Sequence, residues 1–219
     1  AKRPLLHIPI ALGAVTVAYN LPGINGLRLT PDVLADIFLG RITKWNDSKI
    51  RAINSKLNLP DKKIVVVTRS DGSGTTAIFT DYLAKVSAEW KTKVGAGKSV
   101  SWPTGLGAKG NEGVAGLVRQ MPGSIGYIEL AYAIQNKMTT CELQNAAGKW
   151  IKPDLASISA SGLVAIPEDT RVNLTNSEAP DAYPISGFTW VLVYREQNYS
   201  GRTKEKAKAL ADLLLWMVR

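Results

Sequence analysis

Histidine and cysteine are almost absent from this chain, which has one of each among its 219 residues. Because Cys141 is the only cysteine, the chain can form no intrachain disulfide and no thiolate zinc cluster. The only histidine, His7, lies in an apolar run, where we expect a structural role. Catalytic arrangements that need a histidine base therefore have a single candidate.

Long hydrophobic runs are also missing. No apolar run approaches the roughly 18 residues that suggest a membrane span. The first residues, AKRP and then LLHIPIALGAVTVAYN, are basic and then apolar, which imitates a signal peptide. However, Pro9, the β-branched Val15 and Val17, and the turn sequence that follows favour a strand.

Basic residues outnumber acidic ones, but they do not form a long basic tract. The formal net charge is +9, which favours an anionic partner, whether nucleic acid, an acidic membrane or a small anion. The charge does not choose among these, and its scatter along the chain is typical of a solvated surface. The six tryptophans are also spread out, which indicates packing and not a stacking platform for nucleic acid.

Strand and helix patterns alternate along the chain, which predicts an α/β sheet covered by helices. IPIALGAVTVAYN and the β-branched run KIVVVTR are typical of strands, and LTPDVLADIFLG, with Thr30 as N-cap and Gly40 at its end, predicts a helix. Further on, the patterns predict a helix around residues 114–118, the strands SIGYIE and FTWVLVYRE, and a closing helix with Leu210, Leu214, Leu215 and Val218 on its apolar side. Between these last two strands, residues 155–184 are predicted to be a surface connection with little regular structure.

The most informative stretch is the loop in VVVTRSDGSGTTAIF. A buried strand places Arg69 at its carboxyl end, and Gly72 and Gly74 allow the backbone to turn and approach a ligand. The helix that begins after Ser73 offers unpaired N–H groups and the positive end of its dipole, and the hydroxyls of Ser73 and Thr75 add donors. Arg69 can add a bidentate pair of charged hydrogen bonds, so the loop predicts an oxyanion site.

Asp71 carries the same sign of charge as an anion, but two residues beyond Arg69 it can orient the guanidinium by pairing with it. The competing interpretation is an ordinary Asp-Gly turn followed by a serine N-cap. The loop is not a Walker A motif, because no Gly-Lys-Ser/Thr follows at the required spacing, and it lacks the G-x-G-x-x-G dinucleotide fingerprint.

VVVTRSDGSGTTAIFTDYLAKVSAEWK and WPTGLGAKGNEGVAGLVRQMPGSIGYIELAYA resemble the substrate-binding protein of the phosphate-specific ABC transporter, the PstS-type family. LADIFLGRITKWND and DAYPISGFTWVLVYRE resemble the same family in the same order. The resemblance implies a type II periplasmic-binding-protein fold, in which each lobe is a mixed sheet with helices on both faces and two lobes close on phosphate. It implies a periplasmic or extracellular location and inorganic phosphate as ligand, without a cofactor or metal. It also makes an ABC transporter permease a candidate partner.

By position, the resemblance makes Arg69, Ser73, Gly74 and Thr75 the phosphate contacts of one lobe, with Asp71 supporting Arg69. Family members also carry N-terminal and C-terminal segments that this sequence lacks, including the opposite wall of the site. The resemblance therefore implies a central phosphate-binding lobe over residues 10–187, with residues 1–9 and 188–219 forming hinge crossings and part of a second, incomplete lobe.

The incomplete lobe leads to an expectation about partners. We expect a second polypeptide, or a removed or missing part of the same one, to complete the fold, and we favour a split protein of two chains. The surface that the second lobe would cover should then expose apolar side chains. The alternative function is a scaffold subunit of an extracellular assembly without a transport role. An enzyme is not indicated, because there is no metal-ligand cluster and no nucleophile and base pair, and we expect Glu112 and Glu129 to be structural or on the surface.

Overall fold

The computed structural model describes residues 4–218. The strands are β1 (Leu5–Tyr19), β2 (Arg28–Leu29), β3 (Val65–Arg69), β4 (Leu106–Ala108), β5 (Ser124–Glu129), β6 (Thr139–Thr140), β7 (Glu142–Gln144), β8 (Trp150–Ile151) and β9 (Ser186–Tyr194). The helices are α1 (Pro31–Phe38), α2 (Ser48–Ile53), α3 (Gly74–Val86), α4 (Ala88–Lys93), α5 (Gly110–Gln120), α6 (Leu130–Gln135), α7 (Leu155–Ser161) and α8 (Lys204–Met217).

The main sheet is mixed. Its strand order is β4-β3-β5-β1-β6, and β9 also pairs with β1. Strand β3 runs parallel to β4 and to β5, whereas β1 is antiparallel to β5, β6 and β9. A second, three-stranded sheet has the order β2-β7-β8. The predicted α/β fold with a mixed sheet is therefore confirmed.

Local sequence signals explain where the first helices begin and end. Helix α1 starts at Pro31 directly after the predicted cap Thr30, although the threonine side chain makes no capping hydrogen bond. Gly40, which has a φ of 74°, follows the end of this helix in the left-handed region that glycine adopts without strain. Helix α2 is capped by Asp47, whose side chain accepts a 2.9 Å hydrogen bond from the Lys49 backbone N–H.

Aromatic side chains fill much of the core between the sheet and its helices. Phe38 of α1 meets Phe79 of α3 edge to face, with ring centroids 4.8 Å apart, and both rings are fully buried. Trp45 is also fully buried, and its indole N–H donates to the Gly123 carbonyl at 2.9 Å, so its polar atom is satisfied. The core thus joins the helices after β2 to the strands that carry the loop at Arg69.

Strand β1 divides into two halves with different surroundings. Residues 14–19 are buried, and Val15 to Tyr19 pair with β5, whereas residues 5–13 are exposed or half-buried and pair only with β9. We call residues 5–13 together with β9 the ribbon. Its exposed apolar side chains are Leu5, Leu6, Leu192 and Tyr194.

Helix α8 shares this exposure, because none of its residues is buried. Of the side chains predicted for its apolar side, Leu210 and Leu214 are half-buried, and Leu215 and Val218 are exposed together with Trp216. Exposed apolar side chains are thus present near both ends of the described chain. Within residues 4–218, no helix has the length and apolar character needed to cross a membrane.

The prediction of weak regularity after residue 154 was wrong for the first part of that segment. Helix α7 forms there because Asp154 accepts from the Ser157 N–H at 2.8 Å, and the Ser157 hydroxyl accepts from the Asp154 N–H at 3.1 Å. These reciprocal bonds form a capping box. The rest of the segment is irregular, but Leu174 and Tyr183 are buried, so it is not only a surface connection.

Candidate anion-binding site

Three parallel strands end at the same edge of the main sheet. Arg69 is the last residue of β3 and pairs with Ala108, the last residue of β4. Strand β5 ends at Glu129 on the other side of β3. In open α/β sheets, ligands bind beyond the carboxyl ends of such strands. The loop between β3 and α3 therefore lies where a ligand site is expected.

Arg69 and Asp71 form a two-pronged ion pair at this edge. Arg69 Nε donates to Asp71 Oδ1 at 2.7 Å, and Arg69 Nη2 donates to Asp71 Oδ2 at 2.5 Å. The Gly110 N–H, at the start of α5, also donates to Asp71 Oδ1 at 3.0 Å. Only 9% of the arginine side chain is exposed, so the pair holds the guanidinium in a fixed orientation and leaves Nη1 available.

The ionisation of Asp71 follows from these bonds. Hydrogen bonds from Arg69, and then from the Gly110 N–H, hold the pKa of the Asp71 carboxyl well below its usual range. Asp71 is therefore a carboxylate at neutral pH, and a ligand anion would meet the free edge of the guanidinium, with the carboxylate on the far side of it.

The first turn of α3 supplies backbone donors beside this pair. The Ser73 side chain caps the helix by accepting from the Thr76 N–H at 3.2 Å, and the Ser73 N–H donates to the Lys98 carbonyl at 2.8 Å. The N–H groups of Gly74 and Thr75 have no partner among residues 4–218. Because Gly74 is exposed and carries no side chain, an oxyanion can approach these two donors closely.

A cavity of about 710 Å³ adjoins Gly74. Ile78 and Trp190 give it apolar walls, and Lys98 and Glu129 bring charged groups to it. The cavity lies between α3, β9 and the segment at residues 171–175, so it extends from the helix start toward the ribbon. An anion at the start of α3 would therefore lie at the side of a larger space.

All five residues predicted for the site lie in one short stretch, and the structure brings their polar groups together. Arg69 pairs with Asp71, and Ser73, Gly74 and Thr75 form the cap and first turn of α3. Their role in binding an anion stays a prediction.

The sequence analysis missed three contributors to this stretch: the Gly110 N–H on Asp71, the Lys98 carbonyl on Ser73, and the hydroxyl of Tyr127. Tyr127 accepts from the Arg69 N–H at 3.1 Å and lies 2.7 Å from the Thr76 hydroxyl. A tyrosine within the aliphatic strand SIGYIE was an available signal, because a buried phenol usually finds a hydrogen-bond partner. The two backbone contacts have no signal in the sequence.

The single cysteine, the single histidine and Glu112 lie outside the loop between β3 and α3. Cys141 is fully buried, and burial raises the pKa of its thiol well above the ordinary value. His7 lies in a strand, as predicted, and is half-buried there. Glu112 accepts from the Tyr132 hydroxyl at 2.9 Å. Within residues 4–218, no group of three or more His, Cys, Asp or Glu side chains is placed to hold a metal ion.

Comparison with known proteins identifies the family. A family model described as the PBP superfamily domain matches residues 1–218. The chain belongs to the PBP superfamily. Among curated relatives, this PBP superfamily chain is 50% identical over 222 residues to a phosphate-binding protein PstS of Xylella fastidiosa, which covers 98% of the chain and 59% of the relative. It is 46% identical to a protein of the same name from Pasteurella multocida, over 99% of the chain and 63% of the relative. The chain thus spans about three fifths of the length of these relatives.

Solved structures of phosphate-binding proteins share the fold. A high-affinity periplasmic phosphate-binding protein, PfluDING, solved with bound phosphate, matches 95% of the chain with a TM-score of 0.67 at 23% identity, and the match covers 62% of that protein. At this identity, the likeness supports the fold alone. The predicted membership in a binding-protein family is confirmed.

Proposed function

We propose that this chain forms one wall of a binding site for inorganic phosphate in an extracytoplasmic solute-binding protein that serves phosphate uptake. The observation that carries the proposal is the pairing of Arg69 with Asp71 beside the unpartnered N–H groups of Gly74 and Thr75. These groups offer charge and directed donors to a tetrahedral oxyanion. The relatives named phosphate-binding protein PstS support phosphate as that anion.

In this proposal, each of the predicted site residues has a distinct role. Arg69 supplies charge through its free guanidinium edge, and Asp71 holds that edge toward the ligand. The hydroxyls of Ser73 and Thr75 and the backbone N–H groups of Gly74 and Thr75 fix the orientation of the phosphate. No step of this function is catalytic, since the groups bind an anion without a nucleophile or base directed at it.

The opposite wall comes from polypeptide that packs on the ribbon. Residues 10–187 form the phosphate-binding lobe, and residues 1–9 and 188–219 form the hinge crossings and part of a second lobe. The exposed apolar side chains of the ribbon and of α8 support this division, because a folded protein rarely leaves such a surface uncovered. The covering polypeptide is either a further segment of the same chain or a second chain, and closure of the two lobes traps the ligand.

Selectivity for phosphate over sulfate falls to the opposite wall. The donors described above suit both anions, but hydrogenphosphate also carries a proton that needs an acceptor. A site that pairs this proton with a buried carboxylate rejects the fully ionised sulfate. The proposal therefore places such an acceptor in the covering polypeptide, and it assigns the protein to the periplasm or the extracellular space, where an ABC transporter permease receives the phosphate.

The test uses the native assembly, which is this chain with every polypeptide that stays bound to it after purification from its source cells. Titration calorimetry with inorganic phosphate should show one site per chain, and sulfate at the same concentrations should give no measurable heat of binding. Mass spectrometry of the same sample identifies the covering polypeptide. Absence of phosphate binding by an assembly that contains the covering polypeptide would remove the proposed function.

A second candidate is a scaffold subunit that keeps the fold without transporting phosphate. The exposed apolar side chains of the ribbon favour association with another polypeptide, and this association does not require a ligand. An intact native assembly that has no affinity for phosphate would support this candidate, whereas retained phosphate affinity would support uptake.

A further inference from the structure

One buried hydroxyl connects three elements around the loop at Arg69. The oxygen of Tyr127, from β5, accepts a 3.1 Å hydrogen bond from the backbone N–H of Arg69 at the end of β3. The same oxygen lies 2.7 Å from Oγ1 of Thr76 in the first turn of α3. The phenol thus joins the residue that carries the guanidinium to the helix that carries the backbone donors.

The Tyr127 hydroxyl replaces the backbone acceptor that β5 no longer provides beyond the end of its pairing with β3. The parallel pairing of β3 with β5 ends at Val67 and Gly126, two residues before Arg69. A buried backbone N–H without a partner is costly, so the Arg69 amide needs an acceptor at this point. Tyr127 provides it from a side chain, and the position of the Arg69 backbone therefore depends on where the phenol is held.

The ring of Tyr127 is held firmly. It stacks on Phe79 of α3 with centroids 4.4 Å apart and planes 9° from parallel, and it lies 5.5 Å from the ring of Trp102. Tyr127 is fully buried, and burial raises the pKa of its phenol above the ordinary value. The hydroxyl therefore stays protonated at neutral pH, and the ring contacts hold it beside its two partners.

We propose that Tyr127 is a positioning residue for the anion site. It touches no ligand, and it sets the separation between the Arg69 guanidinium and the first-turn N–H groups of α3. A tetrahedral anion bridges these two sets of donors, so a small change in their separation weakens both sets of hydrogen bonds at once. This inference rests on the proposed phosphate site and adds a residue that acts on it indirectly, through the backbone of Arg69 and the first turn of α3.

The test compares two tyrosine-to-phenylalanine variants of the native assembly. Tyr127→Phe keeps the ring and removes only the hydroxyl. Tyr19→Phe is the matched control, because the hydroxyl of the buried Tyr19 also bonds backbone groups, donating to the Ile24 carbonyl and accepting from the Leu27 N–H, but lies outside the β3–α3 loop. In titrations with inorganic phosphate, Tyr127→Phe should weaken affinity about 5- to 20-fold, as expected for one lost buried hydrogen bond. The control should change affinity less than about twofold.

A double-mutant cycle separates positioning from general stability. If Tyr127 acts through Arg69, the loss caused by Tyr127→Phe should shrink to less than about twofold when Arg69→Lys has already removed the forked guanidinium. An equal loss in both backgrounds would overturn the inference, as would an unchanged affinity in Tyr127→Phe alone. Failure of the unsubstituted assembly to bind phosphate would instead refute the proposed function.

A second pair of variants covers the case in which Tyr127→Phe does not fold. Thr76→Ser keeps the hydroxyl that meets the phenol, and Thr76→Val removes it at nearly constant volume. The serine variant should bind phosphate like the unsubstituted assembly, and the valine variant should bind several-fold more weakly. Equal affinities of the two variants would contradict a positioning role for this hydroxyl pair.

Discussion

The β3–α3 segment and the ribbon both contain strands rich in β-branched and aromatic residues, but their surroundings differ. Val66 and Val67 of β3 are buried between neighbouring strands and helices, whereas Leu6 and Leu192 of the ribbon are exposed. The geometry of the β3–α3 loop is therefore fixed by contacts within the described chain. Within residues 4–218 the ribbon has its hydrogen-bonded pairing but several exposed apolar side chains, which is why we propose it as the place where further polypeptide packs.

This comparison predicts unequal effects of core and surface truncation. Phe79→Ala should lower the free energy of unfolding by about 3–5 kcal/mol, because it removes a fully buried ring. Leu213→Ala in α8 should lower it by less than about 0.5 kcal/mol, because that side chain is half exposed. Urea denaturation of the isolated chain measures both, and similar losses in the two variants would contradict the contrast between the regions.

The loop should be the region that determines phosphate affinity. Arg69→Ala should weaken phosphate binding by the native assembly at least about 100-fold, because it removes charged hydrogen bonds and leaves the Asp71 carboxylate to repel the anion. Arg51→Ala, on the exposed face of α2, is the control and should bind normally. Titration calorimetry provides the comparison, and unchanged affinity in the Arg69 variant would refute its assignment.

The Arg69–Asp71 pair should make the stability of the chain depend on pH. Its folded pKa is lowered, so its contribution to stability is complete above the unfolded value of about 4 and is lost as pH falls through the folded value. Asp71→Asn removes this contribution, and it should weaken phosphate affinity at pH 7 about tenfold by freeing the guanidinium.

The urea midpoint, measured from about pH 5 to pH 2, should fall more steeply for the unsubstituted chain than for Asp71→Asn. Parallel pH profiles of the two proteins would show that the Arg69–Asp71 pair does not contribute to stability as the geometry indicates.

Substitutions on the exposed surface of the ribbon and α8 should impair association with the covering polypeptide and leave the stability of the isolated chain almost unchanged. Trp216→Glu should change the unfolding free energy of the isolated chain by less than about 0.5 kcal/mol, because 76% of the side chain is exposed. It should nevertheless prevent association with the covering polypeptide, since a charge would enter an apolar interface.

Leu155→Glu, at a leucine that is 80% exposed in α7, is the matched control for this prediction. Co-purification and analytical ultracentrifugation should show that the control keeps its partner. Normal assembly of the Trp216 variant would mean that α8 is not part of the covered surface.

Much of the site loop could be predicted from sequence because its signals are local. The run before Arg69 marks a buried strand, and Ser73 and Asp47 are side chains that cap the helices following them. The pairing of Arg69 with Asp71 involves residues only two positions apart, so it too was accessible. The separation between Arg69 and the α3 start was not, because it depends on the Tyr127 hydroxyl from a distant strand.

Two further features were not fully predicted, for different reasons. Helix α7 was missed because three of its seven residues are serine, which favours turns and caps, and the Asp154–Ser157 capping box was not recognised in that sequence. The apolar side of α8 was predicted, yet none of its residues is buried in the described chain. An amphipathic pattern indicates that a face is to be covered, and it does not reveal what covers it.

The most direct measurement is a crystal structure of the native assembly grown with inorganic phosphate. We expect tetrahedral density within hydrogen-bonding distance of the Arg69 guanidinium and of the N–H groups of Gly74 and Thr75. We also expect the covering polypeptide, seated on the ribbon, to complete the other side of the anion. Phosphate bound elsewhere, with this loop empty, would contradict the central claim.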